Sequence, residues 1–178
     1  MAPTTAPVTS PALVVPLARP RAFDTIVLGG AIAGILDITD ALVTTLILGG
    51  TPIRMLQGIA RGLLGPAAFD GGPSVAALGL VLHFVIALGA ATTFFVAATK
   101  WTTLVRYWLP SGLVFGLCVS AFVRYGAADG RHGAGWVAAW PLLLNQLVIH
   151  AVGVGVPIAW LAARSGHAGA PGPAHGRR

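Results

Sequence analysis

Residues 74–98 read SVAALGLVLHFVIALGAATTFFVAA, and His83 is the one titratable side chain among them. About 20 consecutive apolar residues carry a helix across a hydrocarbon core roughly 30 Å thick. Backbone groups in lipid must be satisfied within the segment, so the stretch reads as a helix and not as an open strand. It therefore predicts a transmembrane span. Working outward, three more apolar runs appear, at residues 25–49, 107–123 and 137–163. The first and last have ample length to cross, while 107–123 is nearer the lower limit. The expected fold is all-α: a polytopic membrane protein with four transmembrane helices forming one domain over 25–163.

The whole chain agrees with its most telling segment. It has 178 residues, of which 56% are hydrophobic and 9% charged, and its mean hydropathy is +0.82. Soluble domains carry roughly 25% charged residues. So few charges cannot cover a water-facing surface, which excludes an ordinary soluble enzyme, a disordered protein and a coiled coil. Eleven Lys and Arg against five acids, none of them Glu, give a formal charge of +6. Those basic residues flank apolar runs and form no aromatic-laced basic surface. They imply lipid headgroups as partner and no nucleic acid. Cys118 is the lone cysteine, so an intramolecular disulfide and CxxC metal sites are excluded.

Seven of the eleven basic residues (Arg19, Arg21, Lys100, Arg106, Arg164, Arg177, Arg178) fall on one side of the four-span topology. By the positive-inside rule that side is cytoplasmic, and both termini lie there. Trp101, Trp108, Trp136, Trp140 and Trp160 sit near span ends, as an aromatic belt requires. Residues 1–24 and 164–178, rich in Pro, Ala and Gly, are expected as disordered cytoplasmic tails. The first lacks the charged n-region and apolar core of a signal peptide.

Between the first two spans, Ile53, Leu56, Ile59, Ala60, Leu63 and Leu64 recur at helical spacing, while Arg54, Gln57 and Arg61 face elsewhere. This predicts an interfacial amphipathic helix over 53–64, closed by Gly65-Pro66.

The chain also resembles itself. LVLHFV at 80–85 matches LVIHAV at 147–152, and Gly30-x-x-x-Gly34 matches Gly112-x-x-x-Gly116. Each half reads as a GxxxG helix, a connection and an LV[LI]H helix, a tandem helical hairpin related by an axis along the membrane normal. Gly30, Gly34, Gly112 and Gly116 are expected to pack helices closely, because lipid is as apolar as Leu and association depends on intimate contact.

Asp37, Asp40, His83 and His150, with Asn145, are the polar side chains inside spans on which function would rest. At 1.5 Å per residue, the two acids and two histidines fall within roughly 6 Å of one another in depth. A charge at the bilayer centre costs about 2.5–3.5 kcal/mol on insertion scales, so they should face the bundle and pair. Thr39 and Thr44 are read as bonding their own helix backbone. Three roles follow: a structural clasp, a proton- or ion-coupled path in a small transporter or channel component, or haem b held by His83 and His150 in an electron carrier. Four helices make a narrow bundle, so a path would call for a homo-oligomer. No GxSxG, HExxH or metal-ligand spacing occurs, so neither an enzyme nor a metal site is expected. His132, in the Gly-rich turn RYGAADGRHGAGW, reads as a solvated loop residue, with binding of an external anion as the sharper alternative.

GLLGPAAFDGG, LGLVLHFVIALGAA, LPSGLVFGL and LVIHAVGVGVPIAW together resemble uncharacterised bacterial four-helix inner-membrane proteins. More distantly they are similar to the YagU-like group, over about residues 25–163. The resemblance implies a four-helix fold in the bacterial inner membrane. It carries no activity onto Asp37, His83 or His150.

Overall fold

The structure, a computed structural model, describes residues 20–124 and 140–167. The expected N-terminal tail up to residue 19, the turn with Asp129, Arg131, His132 and Trp136, and the chain beyond 167 lie outside the described residues.

Every regular element among the described residues is helical. Helix α1 runs Phe23–Ile47 and α2 Pro52–Leu64. A 3-10 segment, Gly65–Asp70, leads into α3, Gly72–Lys100. The short α4, Thr103–Arg106, precedes α5, Trp108–Phe122. Helix α6 covers Trp140–Ser165. Three of these, α1, α3 and α6, are long and apolar enough to cross a membrane. At 1.5 Å per residue the shortest of them reaches about 37 Å, so each exceeds a bilayer core and can tilt. Helix α5 has 15 residues, about 22 Å. The expected span 107–123 is thus a helix that begins after a backbone break at Tyr107 (φ −109°, ψ 52°) and whose helical turns continue to residue 124, where this stretch of described residues ends.

The ends of the bundle also differ from expectation. Phe23 and Asp24 already belong to α1. Ser165 is buried and accepts a 3.0 Å hydrogen bond from the Arg21 backbone N–H. The chain leading into α1 and the last turn of α6 are thereby tied together.

Phe23–Gly29 and Ile149–Gly155 are wound as π-helix, as are residues 123 and 124 at the edge of the described residues. The second has a covalent cause. Pro157 lacks an N–H and its ring clashes with the carbonyl four residues back. Wider turns before it move that carbonyl aside, and His150 sits within them.

The core gathers at the end where α1 begins and α6 finishes. Ala33, Ala91, Phe94, Ala98, Val105, Val154, Ile158, Ala159, Ala162 and Ala163 pack there. Alanine dominates because helices meeting without hydrophobic driving force need short side chains. Phe94 fills the largest gap, edge-on to Phe115 at 5.2 Å.

All four expected packing glycines lie at helix contacts. A Cβ on Gly30 would meet Leu88 Cδ2 at 2.9 Å, and one on Gly34 the Phe84 ring at 2.9 Å. On α5 the contacts are with backbone: Gly112 against the Gly155 carbonyl oxygen at 2.7 Å, and Gly116 against the His150 carbonyl oxygen. Gly34 and Gly116 thus each meet the residue following a histidine, Phe84 and Ala151. Gly30 and Gly112 each meet the residue five beyond it, Leu88 and Gly155.

Helix α2 packs on α3 where Gly79 lets the Leu56 carbonyl and Ala60 N–H approach. Gln57 does not face away with the arginines, as its polarity suggested. It is buried, and its Nε2 donates to the Gly72 carbonyl at 3.0 Å. The amide is satisfied by backbone, so the protein side of α2 tolerates it. Ile53, Leu63 and Leu64 remain exposed, as a lipid-facing edge would be. Thr51 caps the helix, accepting from Arg54 N–H at 3.4 Å, and Gly65, at φ +66°, ends it in a conformation that disfavours a side chain. Thr51→Ala should weaken α2 by about 1 kcal/mol. Faster amide exchange at the start of α2 alone would show this; unchanged exchange would mean that the cap contributes nothing.

Candidate functional site

Asp37 lies between two imidazoles from two other helices. Its Oδ2 is 4.0 Å from His83 Nδ1 on α3, and its Oδ1 is 3.8 Å from His150 Nδ1 on α6. The His side chains are 11% and 8% exposed and that of Asp37 22%. These separations are ion-pair distances, longer than direct hydrogen bonds.

The remaining bonds assign protons. His83 Nε2 is 2.9 Å from the Gly34 carbonyl oxygen. A carbonyl only accepts, so Nε2 carries the hydrogen. Nδ1 is then the ring nitrogen turned toward the Asp37 carboxyl, 4.0 Å away. His150 differs. Its Nδ1 is 2.9 Å from the Gln146 carbonyl oxygen one turn back on α6. Nδ1–H therefore donates there, and its positive edge faces Asp37.

Glycine makes the first of these bonds possible. With no side chain at Gly34, α3 approaches α1 closely enough for an imidazole to reach a backbone carbonyl. The His83 and Phe84 rings stand edge-to-face at 5.3 Å, so Phe84 closes the contact that Gly34 opens.

Asp40 belongs to a second group. Asn145 Nδ2 donates to its Oδ2 at 2.7 Å and lies 3.4 Å from Thr44 Oγ1. Asp40 therefore pairs with Asn145 and not with a histidine, as the shared face with Asp37 had implied. The reason is direction: Leu36 and Asp40 line a groove against α6, along with Asn145 and Val152. The Thr44 hydroxyl also faces Asn145, whereas Thr39 donates to its own helix, to the Ile35 carbonyl at 2.6 Å.

Side-chain reasoning missed the two backbone acceptors, Gly34 and Gln146. The glycine of the GxxxG pair three residues before Asp37 was the available signal for the first. Thr25 is fully buried, and its hydroxyl has no hydrogen-bond partner among the described residues. Among those residues no three His, Cys, Asp or Glu side chains are placed to hold a metal ion.

No family model, curated protein or solved structure matches this chain.

Proposed function

We propose that this chain is a four-span protein of the bacterial inner membrane with a structural or accessory role, held together by its Asp/His clasp. The reading is carried by one observation: Asp37 on α1 faces imidazoles from both α3 and α6 within 4.0 Å. The Asp40–Asn145 bond adds a second link between α1 and α6. Interhelical hydrogen bonds in lipid average about 0.6 kcal/mol each, so several acting together give a modest but useful clasp. Asp37→Asn should keep folded yield and melting temperature near wild type, since an amide still bonds an imidazole and needs no charge compensation. A severe loss of fold in that variant would count against the clasp and for a required charge.

Further features support the four-span reading. Helix α5 buries its glycine face on α6, and a short crossing is tolerated by local thinning of the bilayer. The matched glycine and histidine contacts of α1–α3 and α5–α6 favour the tandem hairpin. The seven-to-four distribution of basic residues favours both termini in the cytoplasm, and the resemblance to bacterial four-helix inner-membrane proteins agrees. On this topology a cysteine introduced at Thr51 reacts with an impermeant maleimide added to intact cells. Reaction only after permeabilisation reverses the orientation.

A proton-linked transporter or channel component is the second reading, favoured by two imidazoles gathered within 4.0 Å of one carboxyl inside the bundle. The alanine core beyond the cluster is closely packed and buried, so conduction would require that half to open. Proteoliposomes carrying a trapped pH dye test it. Uptake of protons that Asp37→Asn abolishes would establish the path, and no uptake above empty liposomes would remove it. Haem b gains no support, because His83 Nε2 is committed to Gly34 and both imidazoles crowd one carboxyl.

A further inference from the structure

A groove of about 300 Å3 runs between α1 and α6 on the outer side of the bundle. Its walls are Leu36, Val148 and Val152, all exposed aliphatic side chains. At one end sit Asp40 and Asn145. The two faces of this groove make unlike demands. The walls suit a hydrocarbon chain or one ring. The polar end is a carboxyl whose 2.7 Å partner is a neutral amide, which brings no positive charge to it. Asp40 lies seven residues before the end of α1 and Asn145 five after the start of α6. That places the carboxyl roughly 8–10 Å inside the helix ends, where an uncompensated carboxylate is costly in lipid.

We propose that this groove binds a lipophilic monocation, an alkyl- or arylammonium compound. Its ammonium sits on Asp40 and its apolar part lies along Leu36, Val148 and Val152. Charge complementarity selects the occupant. An ammonium neutralises the carboxylate and donates to it, which no uncharged lipid tail can do. The Asn145 amide already bonds Asp40 Oδ2 and holds that carboxylate toward α6, so the anion is in place before a ligand arrives. The volume is at the lower end of small-molecule sites, which limits the ligand to one ring or a short chain. The inference stands apart from the Asp37 cluster, since Asp37, His83 and His150 do not line the groove, and it shares with the clasp only the Asp40–Asn145 link.

The test uses the full chain in lipid nanodiscs with a diazirine-bearing octylammonium photoprobe. Labelled peptides are mapped by mass spectrometry, with octylammonium or 1-octanol as competitor. Label concentrated on residues 36–40 and 148–153, displaced at least tenfold more effectively by octylammonium than by octanol, is the expected result. Asp40→Asn should abolish that difference. Val152→Trp, which fills the groove while leaving the carboxylate and the clasp untouched, should remove the label from both segments. Equal displacement by the alcohol, label spread evenly over the exposed faces of α1, α3 and α6, or a wild-type pattern in Val152→Trp would each overturn the proposal. Melting temperatures of both variants near wild type exclude loss of fold as the cause of lost labelling. A shift in Asp37 variants without change in labelling separates this site from the clasp.

Discussion

Replacing Gly116 by leucine should destabilise the protein by about 3 kcal/mol or more, at the upper end of overpacking effects. A single Cβ at this position already falls on the His150 carbonyl oxygen and 2.7 Å from Ala151 Cα. Both obstacles are backbone, so no rotamer change clears them, and α5 must separate from α6. The separation propagates to Gly112 and Gly155, where each backbone rests on the other. It also pulls on the segment that presents His150 to Asp37. Two companions calibrate the result. Gly34→Leu meets the Phe84 ring at 2.9 Å, a side chain that can turn, so its cost should be smaller, about 1–2 kcal/mol. Gly89→Ala finds nothing within 4 Å and should stabilise by up to about 1 kcal/mol through helix propensity. Unfolding in mixed micelles should rank the stabilities Gly89→Ala, wild type, Gly34→Leu, Gly116→Leu, from highest to lowest. Wild-type stability in Gly116→Leu would mean that α5 does not lie against α6 in this way.

Asp37→Leu is the second large effect, with an expected loss of about 2 kcal/mol. Leucine removes both carboxyl oxygens, and the main cost comes from the groups left behind. His83 keeps its bond to Gly34 but loses the carboxyl that faces its Nδ1 at 4.0 Å. His150 suffers less, because its Nδ1–H still reaches the Gln146 carbonyl. The loss should therefore be mostly a His83 effect. Adding His83→Leu to Asp37→Leu should restore part of the stability, since removing both polar partners is cheaper than removing one. Folded yield after solubilisation and the unfolding midpoint together measure it. No loss in Asp37→Leu would place that carboxyl in headgroups or water and dissolve the cluster.

How much of this was legible in the sequence follows from which signals are local. The helices of 74–98 and 53–64 were readable because hydropathy and amphipathic spacing are properties of the segment itself. The observed α3 and α2 begin and end within two residues of those bounds. Depth was readable for the same reason: rise per residue brought Asp37, His83 and His150 to one level. Rotation was not. Asp40 shares a face with Asp37 by spacing, yet a 60° difference about the axis of α1 sends it to Asn145. Gln57 looked like a solvent-facing amide because its partner, the Gly72 carbonyl, belongs to a backbone that no sequence pattern displays. The π-wound turns have a cause in Pro157, but no hydropathy pattern shows which turns widen, and none marks the break at Tyr107.

The central claim is that one carboxyl on α1 engages its imidazole partners on neighbouring helices. A double-mutant cycle between Asp37 and His83 tests it most directly, using Asp37→Leu, His83→Leu and the pair in one unfolding assay. The account predicts a favourable coupling free energy of about 1 kcal/mol or more, toward the upper end of polar pairs within membranes. Losses that simply add, with a coupling indistinguishable from zero, would contradict it.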